Sequence, residues 1–70
     1  MKEIKGSILV DLVKKQQIQN GKVFNVFETN SKKYIGQIGV IKTTIAFIEF
    51  KDYIPGDLYS DNYLFIETDE

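Results

Sequence analysis

The sequence predicts a small, mainly β domain that folds as a strongly bent antiparallel barrel of five strands. From residue 23 onward, short apolar or alternating segments follow one another, separated by turn-forming residues. Gly36 and Gly39 interrupt one of these segments, as glycines do where a strand bends sharply at a barrel corner. The length of 70 residues suits a single domain, residues 1–70, with a small core.

The strands are assigned from their apolar runs and from the turns between them. Glycine, proline, asparagine and aspartate mark most of these turns, because their backbones or side chains suit tight reversals of the chain. Lys42–Thr44 is assigned as a further turn, between two apolar runs. The predicted strands are 23–28, 33–41, 45–50, 58–59 and 63–67.

Residues 8–18 allow two interpretations. The spacing of Leu9 and Leu12 places both on one face of a helix, and Ser7 suits its N-cap. In that interpretation Val10 falls on the wrong side, and the β-branched residues of the segment favour a strand instead. We interpret the segment as one short N-terminal helix, and the strand stays open as the alternative.

Two predicted strands, 45–50 and 63–67, carry apolar residues on both faces. An antiparallel strand with a solvated face would show polar residues there, and so short a chain has little core in which to bury the surplus. A helix or loop covers one face, or the residues form a subunit interface, or both are true. On the second interpretation the protein is a homo-oligomer, and the candidate interface residues are Ile45, Phe47, Ile48, Phe50, Tyr63 and Phe65.

Composition narrows the function classes. Nine lysines face ten acidic residues for a net charge of −1, which argues against a general nucleic-acid binder. The chain contains no Cys, His or Arg, so we expect no enzyme activity, no metal site and no cofactor. It shows neither a signal segment nor an apolar run that would span a bilayer. We therefore expect a cytoplasmic protein without membrane contact.

Three parts of the chain resemble the Sm-like family of small barrels. Residues 34–41, followed by Ile45 and Phe47, resemble its first motif, in which an aromatic residue and a spaced glycine lead through a turn into an apolar strand. Residues 58–66 resemble the second motif, in which Asp61-Asn62 precedes the last strand. Residues 8–15 resemble the N-terminal helix of the Hfq-type members.

The resemblance implies an oligomeric ring that binds single-stranded RNA. It brings the turns 42–44 and 59–61 together around a central opening, where Tyr59 would stack a base and Lys42 would meet a phosphate. The candidate RNA-binding residues are Lys42, Thr44, Tyr59, Ser60 and Asp61. Because Tyr59-Ser60 stands where the family has Arg-Gly, the expected binding is weak. The alternative is a small protein-binding module or inhibitor, of the kind phages encode, that acts through exposed strands and apolar surface.

Overall fold

A computed structural model describes residues 3–68 and shows a mainly β protein with one short helix. The strands form a single antiparallel sheet in the order β1-β5-β2-β3-β4, which confirms the predicted small, five-stranded, barrel-like fold. No helix within residues 3–68 combines the length and apolar character needed to cross a membrane. The elements in chain order are β1 (Glu3–Lys5), α1 (Gly6–Lys14), β2 (Val23–Glu28), β3 (Tyr34–Ile41), β4 (Thr44–Phe50) and β5 (Tyr63–Glu67).

The fifth strand is not the one predicted from sequence. Residues 58–59 form a turn, and Leu58 is apolar because its side chain fills the core, where it is 2% exposed. The additional strand is β1, in which Ile4 lies opposite Phe65 of β5. β1 has three residues, too few to show an alternating pattern. The bounds of β2 and β5 agree with the prediction, and β3 and β4 differ from it by one residue each.

The N-terminal segment is helical, as we interpreted it, but α1 covers Gly6–Lys14 and so both begins and ends earlier than the predicted 8–18. Lys5 is the N-cap residue, and Ser7 instead donates a hydrogen bond to the carboxylate of Asp61. Gly6 begins the helix directly beneath the loop between β4 and β5. A Cβ on Gly6 would lie 2.6 Å from the carbonyl oxygens of Leu58 and Ser60, so only glycine allows this approach.

The sheet curls around a core that is filled from its inner face. Two bulges bend it: Ile35 is the extra residue of β3 opposite β2, and Ile48 is the extra residue of β4 opposite β3. Leu58 and the buried side of α1 complete the core. The largest fully buried side chains are Phe24, Phe65, Leu9, Ile38, Val26 and Val40.

Candidate interaction surfaces

The two turns predicted to form an RNA site lie at opposite ends of β2. The backbone N–H of Lys42 donates to the side chain of Asn20, which precedes β2, at 2.8 Å. The hydroxyl of Thr29, which directly follows β2, donates to the backbone carbonyl of Asp61, also at 2.8 Å. Within one subunit, Lys42 and Thr44 therefore do not meet residues 59–61, because the strand register separates them.

Residues 59–61 make contacts that tie the loop between β4 and β5 to the rest of the fold. The Ser60 hydroxyl donates to the carbonyl of Asp57 at 2.7 Å, and Asp61 accepts the hydrogen bond from Ser7. The Tyr59 ring stacks on Phe65, with ring centroids 6.4 Å apart, and burial raises the pKa of the Tyr59 hydroxyl. These contacts hold the loop against the core and leave one part of Tyr59 open to solvent.

The six candidate interface residues divide between two strands. On β5, Phe65 is fully buried and Tyr63 is 8% exposed, so assigning these two to a subunit interface is wrong. On β4, Phe47 is 49% exposed and Ile48 is 51% exposed. Ile45 and Phe50 are partly buried against the core.

We call Ile45, Phe47, Ile48 and Phe50 the β4 surface. Phe47 and Phe50 pack edge to face with ring centroids 5.5 Å apart, and Ile48 follows Phe47 as the extra residue of the bulge. β4 is the last strand of the sheet, so no strand within residues 3–68 pairs with its outer side. Between residues 44 and 50 the only charged side chain is Glu49. β4 therefore presents backbone groups and apolar side chains together at an open edge.

A second surface, which the sequence did not reveal, lies where β4 leads into the following loop. We call it the tyrosine groove: a cavity of about 180 Å³ whose aromatic walls are Tyr34, Tyr53 and Tyr63. Ile35 and Pro55 add apolar walls to it. These tyrosines are far apart in the chain, and only the pairing of β2 with β3 and β5 brings two of them together.

Charged side chains of both signs line the rim of the tyrosine groove: Glu28, Asp52, Lys33 and Lys51. The Lys51 ammonium lies 5.9 Å from the centroid of the Tyr34 ring, and the Tyr34 hydroxyl donates to Glu49 at 3.3 Å. Desolvation, followed by the charge and hydrogen bond of Glu49, raises the pKa of Tyr34. Among residues 3–68, no three acidic side chains come together in a way that could hold a metal ion.

No protein-family model, curated protein or solved structure matches the chain. The resemblance to the Sm-like family therefore stays a prediction.

Proposed function

We propose that this protein is a protein-interaction module that binds a partner chain through the β4 surface. The observation that carries the proposal is the combination of Phe47 and Ile48, each about half exposed, with an unpaired strand edge. Natural proteins usually protect such an edge with lysine, proline or a covering element. β4 has neither Lys nor Pro between residues 44 and 50.

The geometry favours an extended segment as the partner. A strand laid along β4 would pair with its free backbone groups and cover Phe47 and Ile48. Fully burying a large apolar side chain contributes roughly 1.5–3 kcal/mol, and these two residues would gain about half of that each. The bulge at Ile48 confines regular pairing to the residues that precede it, from Thr44 to Phe47.

A second copy of this chain could itself be the partner, because two β4 edges can pair about a twofold axis. This would be the self-association that the apolar strands predict. Binding of single-stranded RNA is the weaker alternative, since its candidate residues do not come together within one subunit and the chain carries a net charge of −1 without arginine.

Native mass spectrometry of the gently purified protein tests the proposal, because one spectrum reports bound copies, bound protein and bound RNA. We expect the wild type to carry a second protein chain and the double variant Phe47→Ala/Ile48→Ala to appear as the 8.1 kDa monomer. Ile8→Ala is the matched control: Ile8 is 50% exposed but lies on α1, so this variant should keep the partner.

Two results would contradict the β4 proposal. One is a wild type that stays monomeric and unaccompanied at micromolar concentration. The other is an RNA mass that survives in both variants, which would restore the RNA-binding alternative. Circular dichroism of each variant verifies that it is folded, so that a lost partner is not mistaken for a lost fold.

A further inference from the structure

The open edge of β4 points the backbone groups of two alternate residues away from the sheet. Val40, which lies opposite Ile45, uses its N–H and C=O to bond to the backbone of residues 21–22 on the other side of β3. Hydrogen-bonded and non-hydrogen-bonded pairs alternate along an antiparallel ladder, so the N–H and C=O of Ile45 point away from β3. The same holds for Phe47, which lies opposite Ile38 two residues further on. Ahead of the bulge, Ile45 and Phe47 are therefore the residues that a new strand would pair with.

A single antiparallel register lets two copies of β4 use all of these groups. When Ile45 of one copy lies opposite Phe47 of the other, each such pair exchanges two hydrogen bonds, and Ala46 lies on the twofold axis. A shift by one residue sets outward-facing residues against inward-facing ones. A shift by two sets one of them against the turn residue Thr43 or beyond the bulge, where regular pairing stops. The matched register also places a β-branched side chain beside an aromatic one, which is a favourable cross-strand pair.

The charges at the two ends of this segment favour a second copy as its occupant. Lys42 precedes the segment, Glu49 follows it, and residues 44–47 between them carry no charge. Antiparallel pairing about a twofold axis brings Lys42 of each copy to the end where Glu49 of the other copy lies. Lys42 is exposed and has no ion pair within residues 3–68. The β4 edge is therefore complementary to itself, both in charge and in its apolar residues.

The opposite edge of the sheet is a poor match for β4. In β1, Glu3 and Lys5 are exposed, whereas Ile4 is 5% exposed and already covered. Head-to-tail pairing of β4 with β1 of another copy would produce an open chain of subunits or a ring. Such pairing would offer Phe47 two charged side chains and no exposed apolar one.

We propose that the β4 surface is occupied by a second copy of this chain, in a twofold dimer in which β4 pairs antiparallel with itself and Ala46 lies on the axis. The inference rests on the proposed function, for which it names the partner. Four residues of each copy pair, far fewer than the roughly 20–30 residues a side of a standard interface. We therefore expect a dimer that dissociates on dilution, with a Kd of about 1–100 μM.

A single cysteine tests the register, because the chain has none of its own. In the dimer the two copies of Ala46 form a non-hydrogen-bonded pair with Cα atoms about 4.5 Å apart, which a disulfide can bridge. Ala46→Cys should therefore give a covalent dimer of twice the 8.1 kDa chain mass under mild oxidation. Thr44→Cys is the matched control and should stay monomeric under the same oxidation. Its two copies would lie more than about 10 Å apart, beyond the reach of a disulfide.

Charge reversal tests the same dimer without a covalent bond. Sedimentation velocity over about 1 μM to 1 mM measures the Kd. Lys42→Glu places like charges together at both ends of the contact and should raise the Kd about threefold or more. Lys42→Glu/Glu49→Lys exchanges the two charges and should restore it. Lys14→Glu makes the same change of net charge on the exposed side of α1 and should leave the Kd unchanged.

Three results would overturn the twofold dimer: equal cross-linking of Ala46→Cys and Thr44→Cys, no restoration by the charge exchange, or an assembly of more than two copies. Circular dichroism verifies that each variant is folded, and the charge variants decide the matter if Ala46→Cys does not fold. A monomeric wild type that carries a different protein, lost in Phe47→Ala/Ile48→Ala, would overturn the dimer and keep the proposed function. A wild type that neither dimerises nor carries a partner would contradict both.

Discussion

Strands β4 and β5 have similar sequences but differ in their position in the sheet and in their burial. Each is apolar on both faces and carries one glutamate, Glu49 in β4 and Glu67 in β5. β5 lies between β1 and β2, and its Phe65 is completely buried. β4 lies at the sheet edge and leaves Phe47 half exposed. An apolar strand therefore indicates that something must cover it, without indicating what does so.

Strand β5 is covered by other residues of the same chain. Ile4 of β1 lies opposite Phe65 on the outer side of the strand, and Tyr59 stacks on the Phe65 ring. Leu9 of α1 belongs to the same core. For β4, residues 3–68 provide a neighbour on one side only. This difference is why we place β5 in the core and propose a partner for β4.

Truncating the two phenylalanines should give the largest contrast. Phe65→Ala should lower the free energy of unfolding by about 3–5 kcal/mol, because it leaves a cavity in the core. Phe47→Ala should lower it by less than about 1 kcal/mol, because half of that side chain is already in water. Urea denaturation of both variants measures the difference. If the two losses were similar, β4 would be part of the core and the proposed interaction surface would lose its basis.

The two glycines of β3 offer a sharper test of how closely β4 packs. A Cβ on Gly36 would clash with the carbonyl oxygen of Glu49 and lie 2.8 Å from the Phe50 ring. Gly36→Val should therefore lower the free energy of unfolding by about 2 kcal/mol or more.

Gly39 is the matched control on the same strand. A Cβ there would meet the tip of Ile48 at 3.5 Å and the carbonyl oxygen of Lys22 at 3.8 Å, both ordinary contact distances. Gly39→Ala should be neutral or slightly stabilising in the same denaturant melt. Alanine allows the unfolded chain fewer backbone conformations than glycine does, so folding costs less entropy. A neutral Gly36→Val would show that β3 and β4 can separate, and would contradict the tight bend.

The smallest expected effect is alkaline destabilisation through Tyr63 at the start of β5. Burial raises the pKa of this tyrosine, and the negative charges of Asp57 and Glu28 add to the shift. The folded state thus holds the phenol proton more tightly than the unfolded chain, whose tyrosines ionise near pH 10. The resulting stability is complete below about pH 10 and is lost as the pH rises through the folded-state pKa. Denaturant melts at increasing pH should show this loss, and Tyr63→Phe should reduce its steepness. Identical pH profiles would show that Tyr63 is not responsible.

Much of the fold follows from local patterns in the sequence. The bounds of β2 and β5 are set by short apolar runs between turn residues, and these signals lie within a few residues of one another. Gly36 marks the sharp bend because only glycine allows the backbone of β4 to approach so closely. For α1, the spacing of the apolar residues favoured a helix but left a strand open as the alternative, and it fixed neither end of the helix.

The tertiary structure determined which apolar segments the chain buries and which it leaves exposed. β1 is too short to carry a period, and its pairing with β5 depends on a contact across almost the whole described chain. That pairing buries one of two similar strands and leaves the other at the edge. The tyrosine groove likewise joins residues from β3, β5 and the loop between β4 and β5. The local sequence determines which residues need burial or hydrogen bonds. Long-range strand pairing determines which of these residues are buried or paired within the chain itself.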